Sequence, residues 1–257
     1  MSGSSSRPSV GAEHVRSLST LHSPLSTLQD LAQRIQEIES SRQPLERSAT
    51  SLGIASLDDC LPGRQLAAGS LVELLAAAEG AGAWTLALLM ARQVCGERKA
   101  LIVCDAQGCF YPPAVSKWGL DLTRLIVLRP ANAREGDVAV GQSLRCPAVG
   151  AVISWHARLR TLDFRRLSAA VEAGGGVGFL LRPSETRRDP SFAALRLFVT
   201  PMAAEGLARR IQVDVLRCRG GKCRSLVLEV DDETGHVRVP SRLAASATGS
   251  RAARASG

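Results

Sequence analysis

Residues 70–104 read SLVELLAAAEGAGAWTLALLMARQVCGERKALIVC, and this stretch decides the fold. It starts with an apolar run at 70–75, passes through a turn rich in glycine and alanine, and continues as an apolar segment of helical length at 84–95. A second apolar run follows at 100–104. Short strands that are apolar on both faces and are joined by a helix are typical of a parallel sheet covered by helices.

The same alternation continues towards the C-terminus. Further strand-like and helical segments follow at 113–118, 125–128, 137–144, 149–154, 164–173 and 177–181. After residue 181 the pattern changes, because apolar and polar residues then alternate at 195–200, 210–217 and 225–230. Between the last two runs, Arg219-Gly-Gly-Lys222 has the composition of a hairpin turn. The sequence therefore predicts an α/β fold, with a mostly parallel sheet flanked by helices and antiparallel strands at its C-terminal end.

The predicted core occupies residues 49–233, including the antiparallel hairpin, and two further segments precede it. Residues 1–25 are rich in serine and are expected to form a flexible arm, and residues 26–48 are expected to form an amphipathic helix and a linker. The apolar face of this helix, predicted to bind protein, consists of Leu28, Leu31, Ile35 and Ile38. It can cover its own domain or a neighbouring molecule. Residues 234–257 are predicted to be a disordered basic tail.

Composition excludes membrane, secreted and metal-binding classes. Charged residues interrupt the apolar stretches before the roughly 18 residues that a membrane span needs, and residues 1–8 lack the apolar core of a signal peptide. We therefore expect a cytoplasmic protein without membrane contact. The seven cysteines are an odd number without C-x-x-C spacing, and the four histidines do not have the spacing of a zinc site. No metal is expected.

Positive charge is concentrated in one part of the chain. Lysine and arginine number 32 against 24 acidic residues, which gives a net charge of +8. Residues 182–224 contain ten basic and four acidic residues, so most of this excess is local. Arginine can reflect codon bias in a GC-rich genome, or it can mark a surface that binds polyanions, because guanidinium pairs with phosphate in a bidentate fork.

Three short phrases open the core in a recognisable order: Ser51-Leu-Gly-Ile-Ala-Ser-Leu-Asp58, Gly69-Ser-Leu-Val-Glu73 and Leu101-Ile-Val-Cys-Asp105-Ala. Together they resemble the RecA-like ATPase core. Two later phrases, Pro190-Ser-Phe-Ala-Ala-Leu-Arg196-Leu and Arg217-Cys-Arg-Gly-Gly221 followed by Arg224-Ser-Leu, are similar to the ImuA family, the RecA-related members of a bacterial mutagenesis cassette. The resemblance covers about residues 49–231 and implies a RecA-like core.

The phosphate loop of such a core has lost its chemistry here. A working loop reads G-x-x-x-x-G-K-[ST], in which lysine neutralises phosphate and the hydroxyl holds Mg²⁺. Ala83 stands at the lysine position and Trp84 at the hydroxyl position, while Thr85 follows one residue later. Glu79 adds a negative charge to the loop.

The resemblance also places Gln107 where the family carries its base and Ser154 where it carries its metal-associated carboxylate. We therefore expect no catalytic residue, no ATPase activity and no required cofactor, with weak ATP binding left open. The degenerate nucleotide pocket consists of Glu79, Gly80, Gly82, Ala83, Trp84, Thr85, Gln107 and Ser154. His156 lies next to this pocket in sequence and is interpreted as structural, because spacing reveals no Ser, Cys or carboxylate partner.

The basic segments are the predicted binding surface. By resemblance, residues 182–188 occupy the place of a loop that contacts DNA, and the hairpin near residue 220 is the densest local cluster of positive charge. The predicted DNA- or partner-binding residues are Arg182, Arg187, Arg188, Arg217, Arg219, Lys222 and Arg224. Few aromatic residues accompany them, so we expect contacts to the DNA backbone with little sequence preference. An acidic face of a partner protein fits the hairpin equally well.

The resemblance implies a non-catalytic accessory protein in SOS-induced translesion DNA synthesis. Its implied partners are an ImuB-like inactive relative of Y-family polymerases, an error-prone C-family DNA polymerase, single-stranded or primed DNA, and RecA as a further candidate. This function implies a protein of the cytoplasm that joins the nucleoid when DNA is damaged. Two alternatives stay open. One is an active DNA-dependent ATPase in which Gly80, Gly82 and Thr85 contact nucleotide and an arginine replaces the lysine. The other is a SulA-like cell-division inhibitor.

Overall fold

The structure, a computed structural model, describes residues 49–205 and 208–240. A short antiparallel pair, β1 (Ala49–Thr50) and β2 (Leu66–Ala67), precedes a nine-stranded sheet. The parallel strands of this sheet are β3 (Ser70–Ala76), β4 (Ala100–Cys104), β5 (Leu125–Leu128), β6 (Val149–Trp155), β7 (Val177–Pro183) and β8 (Leu195–Glu205). The antiparallel strands are β9 (Ala208–Cys218), β10 (Ser225–Val230) and β11 (Val237–Arg238).

The α-helices are α1 (Ala55–Asp58), α2 (Ala83–Cys95), α3 (Pro113–Ser116), α4 (Ala133–Arg145) and α5 (Thr161–Gly174). Three 3-10 turns lie at Pro62–Arg64, Leu122–Arg124 and Ser184–Arg188. Helices α2, α4 and α5 connect consecutive parallel strands. The predicted alternation of strands and helices is therefore confirmed for the described residues.

The parallel strands are apolar on both sides because the sheet separates two hydrophobic cores. Neighbouring residues of one strand point in opposite directions. Val152 packs in the core of α4 and α5, whereas Ile153 packs in the core of α2. Phe179 and Leu180 of β7 divide in the same way. Each strand thus contributes to both cores, as a sheet covered by helices on both faces requires.

The strand order is β11-β10-β9-β8-β3-β7-β6-β4-β5. Strand β3 lies in the middle, where it pairs in parallel with β7 on one side and with β8 on the other. Strand β8 then pairs antiparallel with β9, and β9 with β10, which confirms the predicted antiparallel end. Strand β11 extends this end to Arg238, so the ordered sheet continues past residue 233, the predicted end of the core.

Several predictions from the N- and C-termini fall outside the described residues. These are the arm at 1–25, the interaction helix with Leu28, Leu31, Ile35 and Ile38, and the tail beyond residue 240. Among the residues that the structure does describe, no helix is long and apolar enough to cross a membrane.

Candidate functional site

The candidate site lies at the carboxyl edge of the parallel strands. After β3 the chain moves across the sheet to β4, and it returns to the other side of β3 only with β8. Ligands of open α/β sheets bind where the strand order reverses in this way, outside the carboxyl ends of the strands. Here that edge carries the loop at 77–82 after β3, the turn at 105–112 after β4, and the residues that follow β6 and β7.

The loop at 77–82 joins β3 to α2, as a phosphate loop does. Gly80 and Gly82 have φ angles of 72° and 93°, which a residue with a side chain adopts only under strain. Ala83 opens the helix and is buried, Trp84 is half-buried, and Glu79 is exposed. The backbone geometry of strand, glycine turn and helix is therefore present, but the loop contributes a carboxylate and no cation.

Strand β9 closes one side of this loop. A Cβ atom on Gly82 would lie 2.9 Å from Cγ2 of Ile211. Arg209 Nη1 donates to Thr85 Oγ1 at 3.3 Å, and Arg209 Nη2 pairs with Asp232 at 3.2 Å. The hydroxyl at the start of α2 thus already has an intramolecular donor, and the arginine beside it already has a carboxylate partner.

The turn after β4 offers no free base. Gln107 is exposed, as an amide side chain in a surface turn. The buried carboxylate before it, Asp105, accepts hydrogen bonds from the backbone N–H groups of Cys109 and Phe110, each at 3.0 Å. It also pairs with Arg129 at 3.4 Å. The Asp105 carboxylate therefore stabilises the turn in which it lies.

Three polar side chains come close together at the end of β6. Ser154 Oγ lies 2.9 Å from His156 Nε2, and His156 Nδ1 lies 3.8 Å from Asp137 Oδ1 on α4. The sequence interpretation that His156 lacks Ser and carboxylate partners is wrong, since α4 brings Asp137 to it from 19 positions away. The arrangement has the order of a Ser-His-Asp triad. Ser154 is only 1% exposed, however, so a substrate carbonyl has no access to its hydroxyl.

Burial keeps His156 neutral. Desolvation, and secondarily the positive charge of Arg182, lower the pKa of His156 to about 4. A neutral imidazole shares one hydrogen bond with the Ser154 hydroxyl, and this role is structural. Burial, and secondarily the charge of Asp163, raise the pKa of Asp137. His156 is therefore hydrogen-bonded to Ser154 inside the protein and lies beside the exposed carboxylate of Asp137 on α4, a structural arrangement at the end of β6.

A buried ion network lies beneath the loop that follows β7. Glu73 at the centre of β3 pairs with Arg182 at 2.8 Å and with Arg196 at 2.8 Å. Arg182 also pairs with Asp189 at 2.9 Å, and Arg196 donates to the carbonyl oxygen of Thr186 at 2.7 Å. The two arginines hold the segment 184–189 against the sheet. The prediction that Arg182 contacts DNA is wrong, because its side chain is fully buried and neutralised by Glu73.

The other predicted binding residues fall into two groups. Arg217 donates to the carbonyl oxygen of Ser191 at 2.6 Å, and Arg224 donates to that of Ser56 at 2.8 Å, so both fasten the connection between β9 and β10 to the body of the protein. Arg187 stacks over the ring of Phe198, with its guanidinium carbon 4.7 Å from the ring centroid. Arg217 and Arg224 are exposed too, but their guanidinium groups make these hydrogen bonds. The exposed predicted residues whose charged groups make no hydrogen bond or ion pair within the described part of the chain are Arg187, Arg188, Arg219 and Lys222.

The structure separates these four exposed residues. Arg187 and Arg188 follow the carboxyl end of β7. Arg219 and Lys222 follow β9, whose last residues pair with the beginning of β8 at the opposite, amino edge of the sheet. The backbone N–H of Lys222 donates there to the carbonyl oxygen of Cys60 at 2.8 Å. The basic stretch 182–224 is therefore two small clusters on opposite edges and not one surface.

Sequence reasoning missed Arg209, Ile211 and Asp137. Ile211 had a signal, because Ile211, Val213 and Val215 alternate as inward-facing residues along β9. Nothing local placed Arg209 beside Thr85, which lies 124 positions earlier in the chain. Within 49–205 and 208–240, no three His, Cys, Asp or Glu side chains come together as metal ligands do.

Comparison with known proteins shows a partial similarity to a cell division inhibitor. No family model matches the chain. The cell division inhibitor SulA of Edwardsiella piscicida is 32% identical to it over 71 residues. The matched part is 28% of this chain and 42% of SulA, so the chain spans less than half the length of that curated relative.

Proposed function

We propose that this chain is a non-catalytic RecA-like accessory protein of damage-induced translesion DNA synthesis in bacteria, which scaffolds an error-prone polymerase assembly and contacts DNA. The observation that carries the proposal is the loop at 77–82. It keeps the backbone path of a phosphate loop, yet it has alanine in the lysine position, and Ile211 and Arg209 of β9 lie against it. A fold that retains this framework without its charged groups is suited to binding other macromolecules.

The partners belong to the same proposal. They are an ImuB-like inactive relative of Y-family polymerases, an error-prone C-family polymerase, single-stranded or primed DNA, and RecA. Co-purification of the tagged chain with each purified protein tests the protein contacts one at a time. We expect the inactive polymerase relative to be retained without nucleotide, and its absence from every eluate would remove the scaffold part of the proposal.

DNA contact is expected at the carboxyl edge. Arg187 and Arg188 are exposed there, and Trp155, the last residue of β6, lies 37% exposed on the same edge. Arginine provides phosphate contacts, and a partly exposed indole provides a stacking surface for an unpaired base. Arg219 and Lys222 lie on the opposite edge and are suited to a partner protein with an acidic face.

The first expected result concerns the salt dependence of single-stranded DNA binding, measured by fluorescence anisotropy. Arg187→Ala with Arg188→Ala is expected to weaken binding and to reduce the slope of log K against log salt by about 1.4, because each lost phosphate contact on a single strand contributes about 0.7. Arg219→Ala with Lys222→Ala is the matched control, since it removes the same charge from the other edge. If only this control weakens binding, DNA contacts the amino edge.

ATP with Mg²⁺ is expected to leave DNA affinity unchanged in the same titration, because the loop has no cation for the phosphates. DNA binding that requires ATP, or ATP turnover stimulated by DNA, would support the active ATPase instead. In that case Arg209 is the arginine placed to act for the missing lysine, and Arg209→Ala should abolish the effect of ATP.

Cell-division inhibition is a second candidate function, favoured by the 71-residue similarity to SulA. Such an inhibitor would have to bind the tubulin-like division protein. Controlled expression in undamaged cells, followed by measurement of cell length, separates the two functions. Filaments that form without DNA damage would favour division inhibition, whereas cells of normal length favour the accessory role.

A further inference from the structure

A groove of about 660 Å³ runs along the surface between α4 and α5. It lies on the sheet face opposite α2, away from the loop at 77–82. Asn132 begins α4 as a helix cap, because its side-chain oxygen accepts from the N–H of Glu135 at 3.0 Å while the Glu135 carboxylate accepts from the N–H of Ala131 at 3.1 Å. Both walls of the groove are regular helices, and apolar side chains of each, such as Val140 and Phe164, pack on the sheet.

The floor of the groove is apolar and open. Val138 is 54% exposed, whereas Leu159 is half-buried and Leu167 is buried beneath the groove on the α5 side. Gly141 lies in the middle of α4, where an added Cβ would meet only Arg145 Nη1, at 3.5 Å. Glycine is unfavourable in the middle of a helix, and here it leaves space for an incoming side chain.

Arginines line both walls. Arg134 and Arg145 are on α4, and Arg160 and Arg166 are on the α5 side. Asp163 forms ion pairs with both arginines of the α5 side, at 2.8 Å from Arg160 and 3.5 Å from Arg166. Asp137, the other acid of the groove, lies next to His156.

The α4 wall keeps its positive charge. Arg145 donates only to the carbonyl oxygen of Gly141 in its own helix, at 3.0 Å, and Arg134 has no ion pair or hydrogen bond among the residues that the structure describes. These two guanidinium groups are separated by three turns of helix and flank the apolar floor. A ligand for this groove therefore needs an apolar side and carboxylates near both ends.

We propose that the groove binds an acidic amphipathic helix of a partner protein. Apolar residues spaced i, i+3 and i+4 on that helix would lie on Val138, Leu159 and Leu167, and carboxylates beside them would pair with Arg134 and Arg145. A helix in the groove of a helix pair is a common recognition mode. This proposal does not depend on DNA binding or on the state of the nucleotide loop.

Nucleic acid fits the groove less well. No aromatic side chain of the described residues lines it for base stacking. An apolar floor also gives a phosphate backbone nothing to bind. An apolar floor that exposes Val138, flanked by Arg134 and Arg145, is the complement of an amphipathic acidic helix.

The test uses a fluorescein-labelled synthetic peptide of about 15 residues, with leucine at helical spacing and glutamate beside it, long enough to cover the ~20 Å of α4. A scrambled peptide of identical composition and a peptide with lysine in place of glutamate are the controls. We expect saturable binding of the acidic amphipathic peptide by the full chain, and much weaker binding of both controls.

Two variants locate the site. Gly141→Trp fills the floor and is expected to weaken peptide binding at least about 30-fold, because the indole occupies the space of the seated side chain. Arg134→Gln with Arg145→Gln is expected to weaken it about 10-fold by removing the charge pairs. Arg98→Glu, an exposed residue just after α2 on the other face, is the matched control and should leave binding unchanged. Thermal unfolding verifies that all variants fold.

Several outcomes would overturn the proposal. If Gly141→Trp bound the peptide as tightly as the unsubstituted chain does, the site would lie elsewhere. If the scrambled peptide bound equally well, the binding would be a nonspecific charge attraction. Loss of single-stranded DNA binding in the arginine variant, without loss of peptide binding, would assign the groove to nucleic acid. A self-associating chain that becomes monomeric with Gly141→Trp would assign it to a second copy. No binding up to about 1 mM peptide would also refute it.

Discussion

Replacing Glu73 with glutamine is expected to lower the free energy of unfolding by about 3 to 5 kcal/mol, the usual effect of removing one partner from a buried ion pair. Glu73 is fully buried in the central strand and is the carboxylate that both Arg182 and Arg196 share. Without it, two guanidinium groups lie in the core with Asp189 as the remaining acid. Urea unfolding at neutral pH measures the loss directly.

Asp189→Asn is the matched control for this variant. Asp189 also pairs with Arg182, but its carboxylate is 47% exposed, so water screens this pair, and Glu73 still neutralises Arg182 when the charge of Asp189 is removed. We expect Asp189→Asn to lower the free energy of unfolding much less than Glu73→Gln does. If Glu73→Gln lowered the free energy of unfolding as little as Asp189→Asn is expected to, the buried network would not stabilise the sheet.

Acidification is expected to destabilise the folded chain through His156. Its pKa is about 4 in the folded protein, against about 6.5 in an unfolded chain. Between these two values the unfolded chain binds a proton that the folded chain does not, so stability falls as the pH falls. The contribution of His156 is complete above about pH 6.5 and is lost below about pH 4, a difference of about 3 kcal/mol.

The variant His156→Gln removes this titration, so its unfolding free energy should depend less on pH between about 4 and 6.5 than that of the unsubstituted chain. His236→Gln is the control, because His236 is exposed. Two charged groups face His156, Asp137 from α4 and Arg182 from β7, and both remain in each variant. Parallel stability curves for the unsubstituted chain and His156→Gln would show that His156 is not the titrating group.

The strands could be predicted from sequence because their signal is local. The run 149–154 became β6 at Val149–Trp155, and 225–230 became β10 with the same bounds. An uninterrupted apolar run identifies a strand buried on both faces without knowledge of its neighbours. No local sequence pattern indicates that β3 pairs with both β7 and β8; this pairing is seen only in the structure.

The candidate site was harder to predict because its contacts are distant in sequence. Arg182 ends an apolar run and was assigned to a polar loop, since the carboxylate that permits its burial is 109 residues away. The same holds for His156, whose partner Asp137 belongs to another element. A count of charges along the sequence also does not show in which direction each strand runs. Strand β9 runs antiparallel to β8 and carries Arg219 to the edge opposite Arg187.

The central position of β3 has a consequence for synthesis on the ribosome. Glu73 is made 109 residues before Arg182, and ribosomes add about 5 to 20 residues each second, so β3 waits about 5 to 20 s for its first neighbour. During that time β3, an apolar strand, has unpaired backbone N–H and C=O groups on both edges, and the Glu73 carboxylate has no arginine partner. Nascent chains aggregate through such exposed strands. We expect the growing chain to need a chaperone until residue 199 has emerged and β8 can pair with β3.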